Sequence, residues 1–145
     1  MATRSARAAW NGNLMEGSGQ VELTSSGVGT FDVSFPRRAA DDAQGVTSPE
    51  ELVAAAHASC FAMQFSALLS EAGGTVHSLE IKADVEFGPD PAGGFHIPGI
   101  RLTVRGEVEG VDAAEFSQVA DEAKRTCPVS KALAGTEISL DASLV

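Results

Sequence analysis

The stretch "SPEELVAAAHASCFAMQFSALLSEAGG", Ser48 to Gly74, decides the fold. It reads as one long helix with marked ends. Ser48 suits the N-cap, Pro49 the first helical position and Glu51 the third, which together predict a capping box. Glu50 and Glu51 sit favourably at the positive end of the helix dipole. Gly73-Gly74 supplies the stop. The body from Leu52 to Leu69 is apolar almost all round, so most of its surface needs cover from other structure. Cys60 lies in its middle.

Upstream, the pattern is that of short strands. One is expected around Ala8 to Trp10 and another from Leu14, joined by the turn Asn11 to Asn13. Val21 to Thr24 and Thr30 to Phe35 form a hairpin signal around a Ser/Gly turn. "RRAADDAQGVT" is polar and irregular, a loop leading into the helix. Downstream, Leu79, Ile81, Ala83, Val85 and Phe87 alternate with charged residues, as do Leu102 and Val104. This predicts two half-buried antiparallel strands joined by the loop "GPDPAGGFHIPG". Asp112 and Glu115 make a second capping box, with Val111 and Phe116 as a hydrophobic staple, for a helix to about Thr126. A shorter helix starts at Pro128, and Ile138 to Leu144 alternate as a last strand. Strands and helices in separate blocks predict an α+β fold.

Composition narrows the function. The length fits a single domain spanning residues 1–145, and 43% hydrophobic residues with 15 glycines are globular rather than disordered values. The N-terminal "MATRSARAAW" has no apolar run behind its arginines, so it is not expected to be a signal peptide. No stretch approaches the ~18 uninterrupted apolar residues of a membrane span. The expectation is a cytoplasmic protein, in a compartment that keeps thiols reduced and disfavours a permanent disulfide. Ten basic against twenty acidic residues give a net charge of −10, which repels phosphate backbones and anionic lipid. Nucleic acid and membrane surfaces are therefore not expected partners.

Only two cysteines occur, Cys60 and Cys127. A lone cysteine on an apolar helix is most often a small buried hydrophobe. Cys127 differs, because it precedes Pro128 and can cap the short helix, where unpaired amides favour a thiolate. His57, one turn before Cys60, makes a Cys-His nucleophile pair conceivable, although no oxyanion donors are evident. Zinc is not expected, since His57, His77 and His96 are scattered and the cysteines lack paired ligand spacing. No metal, flavin or haem is called for. Arg37 and Arg38 would ordinarily be solvated loop charges, but an arginine is also the simplest device for lowering a thiol pKa.

Taken together, "TSPEELVAAAHASCF" and "CPVSKAL" resemble the OsmC/Ohr family of thiol peroxidases, the osmotically inducible and organic-hydroperoxide-resistance proteins. The likeness is closer to the OsmC branch and extends through "AAWNGNLMEGSGQVEL", "EAGGTVHSLEIKADVEF" and "EISLDASLV". The resemblance implies that Cys60 is the peroxidatic cysteine and Cys127 the resolving one. It implies that Glu50 orients an arginine, and "SFPRR" points to Arg38 for that arginine, with Arg37 the second candidate. It further implies an interlocked homodimer, with antiparallel sheets from both chains wrapped around two long central helices. The partner subunit would then supply the cover that the apolar helix needs.

The implied reaction suits these residues. A free thiol of pKa ~8.5 is only slightly ionised at neutral pH, and lowering it by about two units needs roughly 2.7 kcal/mol of differential interaction. The Cys60 thiolate would attack an organic hydroperoxide and become a sulfenic acid. Cys127 would condense with it to a transient disulfide, which an external dithiol reopens. Glu50 lies ten positions before Cys60, about 15 Å along a helix axis. An antiparallel dimer would solve that separation by sharing each active site between subunits. Two rival readings are a non-catalytic binder of small hydrophobic molecules and a Cys-His hydrolase.

Overall fold

The computed structural model describes residues 1–145, which divide into two compact units, Met1–Leu52 and Val53–Val145. In the first, β1 (Arg7–Asn11), β2 (Ser18–Glu22) and β3 (Thr30–Val33) form an antiparallel sheet in that order. The register aligns Ala8, Val21 and Phe31 in one row, and Trp10, Gly19 and Val33 in the next. These rows give the sheet an apolar face, backed by a polar face of Arg7, Gln20, Glu22 and Asp32. No hydrophobic residue of this unit is buried: Trp10 remains 43% exposed and Phe31 41%.

Two expectations are corrected here. The strand expected from Leu14 is a turn, because the Asn13 side chain accepts from the Glu16 amide and Gly17 N–H bonds back to the Asn13 carbonyl. The "RR" pair lies not in a loop but on a one-turn helix, α1 (Phe35–Arg38), where Ser34 caps and Pro36 sits in the first turn. The chain then returns to β3, with Thr47 N–H bonded to the Asp32 carbonyl, before the long helix α2 (Pro49–Glu71) begins.

The start of α2 forms only half of the expected capping box. Ser48 Oγ accepts from the Glu51 amide, but the Glu51 carboxylate takes the Thr47 hydroxyl instead of closing the box. At the other end Gly73 has φ +87°, its N–H bonds to the Ser70 carbonyl and Gly74 N–H to Leu69, a Schellman stop. At 23 residues the helix is long and apolar enough to cross a membrane by length and composition. That revises the sequence expectation, since isolated Ser, His and Gln residues barely dilute so much Ala, Leu and Phe. One face is nevertheless core: Phe61, Phe65 and Leu69 are wholly buried, while Met63 on the opposite side is 72% exposed.

In the second unit, β4 (Thr75–Val85) pairs antiparallel with β7 (Gly99–Glu109), as the alternation predicts. The intervening loop holds a small hairpin, β5 (Gly88–Pro89) and β6 (Phe95–His96). Then come α3 (Ala113–Thr126), α4 (Pro128–Ala132) and β8 (Glu137–Leu144). The full capping box at Asp112 and Glu115 is present, and the staple residues Val111 and Phe116 are buried. The expectation of antiparallel sheets needs correction at β8, which joins β7 in parallel. The reason is the connection: α3 and α4 carry the chain back across the sheet, and such a crossover delivers a parallel strand.

Leu79, Ile81, Leu102, Val104, Leu140 and Ala142 share one sheet face and pack with Phe61, Phe65, Leu69, Phe116, Ala120 and Ala123 into a single core. Phe65 meets Phe61 at 5.5 Å between ring centroids and Phe116 edge-on at 4.9 Å. The other sheet face carries charge, with Arg105 bonded to Asp141 at 3.2 Å. Gly106 lies where this core is tightest. A Cβ there would come within 2.8 Å of both Leu79 Cδ2 and the Phe116 ring. Gly106→Ala should therefore destabilise the fold by about 1–3 kcal/mol, read as a lowered midpoint in urea unfolding.

Candidate active site

The sequence residues fall into two pairs, one in each unit. In the first unit the α1 turn and the start of α2 bring Arg38 and Glu50 together. Arg38 Nε lies 3.1 Å from each Glu50 oxygen, and Nη2 lies 2.6 Å from Oε1. The guanidinium grips the carboxylate along one edge, as its planar donor fork favours. The Glu50 side chain is 7% exposed and that of Arg38 32%. Arg37 instead donates to the Asp42 carbonyl, so of the two arginines it is Arg38 that meets Glu50.

In the second unit, the break between α3 and α4 positions a sulfur. Pro128 has no N–H to continue a helix, and the residue before a proline is pushed out of helical geometry. Cys127 accordingly adopts φ −57°, ψ 122° and is at once the C-cap of α3 and the N-cap of α4. Its Sγ lies 3.1 Å from Cys60 Sγ, and both cysteines are free thiols. Cys127 is wholly buried, whereas Cys60 is partly exposed. A disulfide needs sulfurs at about 2.05 Å, so closing the bond asks for a shift of about 1 Å, within reach of side-chain rotation.

The two thiols are electrostatically unequal. Burial pushes the Cys60 thiol up, the hydrogen bond with Cys127 pushes it further, and only the Val129 amide opposes. Burial also acts upward on Cys127, but the Ser130 amide, the Cys60 thiol, the Ser130 hydroxyl and the Val129 amide together outweigh it, and its pKa falls. All of these influences come from groups of the second unit. Within it, negative charge on the pair is better held by Cys127 than by Cys60.

His57 does not pair with Cys60. Its Nε2 lies 2.6 Å from Ser130 Oγ, and both residues are buried. Burial lowers the His57 pKa, so the ring is neutral at pH 7. Its Nδ1 is buried with no hydrogen-bond partner. A hydrolase that used His57 as base for Cys60 would need a hydrogen bond between them, whereas the one hydrogen bond of His57 goes to Ser130. Sequence reasoning passed over Ser130, although its place in "CPVSKAL", third after the capping cysteine, is the position whose side chain sits beside an N-cap. No group of three or more His, Cys, Asp or Glu side chains is arranged to hold a metal. A surface cavity of about 520 Å³ is lined by Ala9, Asn11, Gln20, Asp32, Ser34 and Val46, and another of about 290 Å³ by Asp84, Glu86, Arg101 and Glu137. Neither touches a sulfur.

A family model described as OsmC-like protein matches residues 41–142. The chain is 39% identical to peroxiredoxin OsmC of Escherichia coli (strain K12), over 95% of this chain and 94% of that protein. It is 32% identical to the organic hydroperoxide resistance protein OhrA of Bacillus subtilis (strain 168), over 78% and 79% of the two chains. Among solved structures, an organic hydroperoxide resistance protein from Elizabethkingia anophelis superposes with a TM-score of 0.80 at 27% identity, covering 100% of this chain and 98% of that one.

The sulfur geometry yields a direct expectation. Equimolar diamide should convert the reduced chain to a Cys60–Cys127 disulfide within one chain, seen as a cross-linked peptide by mass spectrometry. Disulfides formed chiefly between chains would contradict the 3.1 Å pairing.

Proposed function

The chain belongs to the OsmC-like protein family, and from that premise we propose that it is a thiol-dependent peroxidase that reduces organic hydroperoxides, and hydrogen peroxide more weakly. The observation that carries this reading is the pair of reduced sulfurs 3.1 Å apart, one reachable from solvent and one buried. That asymmetry fits a division of labour. Cys60 meets the peroxide, its sulfur takes the terminal oxygen, and an alcohol or water leaves. Cys127 then attacks the Cys60 sulfenic acid, expelling water and forming a disulfide before a second peroxide can over-oxidise it. An external dithiol restores both thiols by exchange. The names of the relatives, peroxiredoxin and organic hydroperoxide resistance protein, support the same reaction class.

Cys60 needs help to ionise, because its own surroundings push its thiol up. We assign that help to Arg38, held by Glu50, in a homodimer whose active sites are shared between subunits. Two features of the chain support a second copy. The first sheet carries an apolar face, Ala8, Trp10, Val21, Phe31 and Val33, with no buried member, so residues 1–52 cannot stand as a separate domain. Along α2 a stripe of small or apolar residues, Ala55, Ser59, Met63 and Ala67, is exposed at helical spacing. A partner's α2 and sheet cover both. Residues 1–145 then work as one domain of a cytoplasmic dimer, and the peroxide binds where the two chains meet.

Turnover of an alkyl hydroperoxide with a dithiol reductant tests the reading. Cys60→Ser should fall by about a hundredfold or more. Cys127→Ser should still consume one equivalent and leave a trappable sulfenic acid on Cys60. Turnover by Cys60→Ser at the wild-type rate would sink the assignment. Arg38→Met should raise the Cys60 pKa by about one to two units, and Arg37→Met should not. Refolded heterodimers of Cys60→Ser with Arg38→Met should regain activity, since one of their two sites keeps both residues. Verified heterodimers that stay inactive would rule out the shared site.

A further inference from the structure

The mechanism above leaves one buried titratable side chain unused. His57 is fully buried on α2, one turn before Cys60, and its only polar partner is Ser130 Oγ at 2.6 Å. Ser130 is 4% exposed and is the third residue of α4, whose N-cap is Cys127. Side chains at the third position of a helix lie beside the N-cap residue. The four side chains thus gather at the break between α3 and α4. His57 meets Ser130, Ser130 lies beside Cys127, Cys127 meets Cys60 at 3.1 Å, and Cys60 is one helical turn from His57.

The tautomer follows from counting donors. With the proton on Nδ1, an N–H would be buried without an acceptor, and His57 Nε2 would take the Ser130 hydroxyl proton. Orphaned buried N–H groups are rare in folded proteins, and unpaired acceptors less so. With the proton on Nε2, the imidazole donates to Ser130 Oγ, and the hydroxyl proton is released to its other neighbour, the Cys127 sulfur. A hydroxyl that accepts one hydrogen bond donates a stronger one.

We infer that His57 and Ser130 form a relay, imidazole N–H to hydroxyl and hydroxyl to sulfur, that holds Cys127 as an aimed thiolate for the resolution step. This rests on the reading of Cys127 as the resolving cysteine. In that step the Cys127 sulfur forms a bond to the Cys60 sulfur, and the Cys60 S–O bond breaks. The departing hydroxide takes up the proton that Cys127 had released, so one sulfenic acid and one thiol give one disulfide and one water. No further oxidant or reductant enters. His57 stays neutral throughout, and it and Ser130 are positioning residues rather than proton acceptors. The lowered Cys127 pKa, to which the Ser130 hydroxyl contributes, agrees with this arrangement.

The test separates the relay from the peroxidase reading. In a Cys60→Ser background, Cys127 is titrated through its thiolate ultraviolet absorbance, with no peroxide present. Ser130→Ala should move the titration up by about one unit. His57→Leu, which removes only the second donor, should move it less. Ser130→Thr and His57→Gln, which keep a hydroxyl and an amide N–H, should leave it near the parent. In the two-cysteine chain, Ser130→Ala should lengthen the lifetime of a trappable Cys60 sulfenic acid by about tenfold, the kinetic counterpart of that one-unit shift. Should Ser130→Ala fail to fold, the ordering of His57→Leu above His57→Gln still decides. A Cys127 titration that stays put in Ser130→Ala and His57→Leu overturns the relay even if the wild type turns over peroxide. A shift in the expected order, with no peroxide turnover by the wild type, upholds the relay at Cys127 and removes the peroxidase reading alone.

Discussion

The geometry of the sulfurs depends on the packing of one helix face. Phe61, Phe65 and Leu69 are pressed against Leu102, Val104 and Phe116, with Phe65 edge-on to Phe116. Burying each such side chain contributes about 1.5–3 kcal/mol, and aromatic pairs add a further ~0.5–1.5 kcal/mol. This contact fixes α2 relative to α3, and α3 ends at Cys127. Cys60 is next to Phe61, so the same ring stack that closes the core also brings one sulfur to the other. Pro128 completes the arrangement from the opposite side, because the helix break it enforces turns Cys127 toward α2.

Electrostatics then divides the roles. In the proposed reaction the attacking thiol must be both reachable and ionised, and within its own unit Cys60 is only the first of these. Cys127 is the reverse, charged more readily and wholly enclosed. In the guanidinium–carboxylate pair of Arg38 and Glu50 the carboxylate fixes one edge of the guanidinium and so its orientation. The apolar face left uncovered on the first sheet and the small-residue stripe on α2 belong to the same logic. They are the surfaces that the proposed second copy would cover.

Local chemistry made much of this legible in the sequence. The capping box of α3, the Gly73 stop of α2 and the alternation along β4 and β7 rest on neighbours within a few residues, and each stands in the structure. The two cysteine motifs were readable as a pair, and so was Arg38 as the partner of Glu50. What the sequence hid depends on distant or competing partners. Glu51 preferred the Thr47 hydroxyl to the box, and Asn13 capped its own turn where a strand was expected. The parallel sense of β8 follows from a crossover, which alternation does not encode. His57 next to Cys60 suggested a base, yet its partner lies far along the chain at Ser130, and only the folded core joins them.

The parallel β8 has a consequence for how the second unit forms. β4 and β7 can zip as a hairpin as soon as both exist, since their pairing is local. The other edge of β7, from Gly99 to Gly106, waits for residues 137–144, which are made only after two helices. During synthesis that edge presents Ile100, Leu102 and Val104 beside unpaired backbone groups, the combination that invites pairing with a stranger's strand. Non-local parallel pairing is intrinsically slow. Arg101 and Arg105 alternate with those apolar residues along β7, and charge placed beside an apolar strand opposes such pairing until β8 docks.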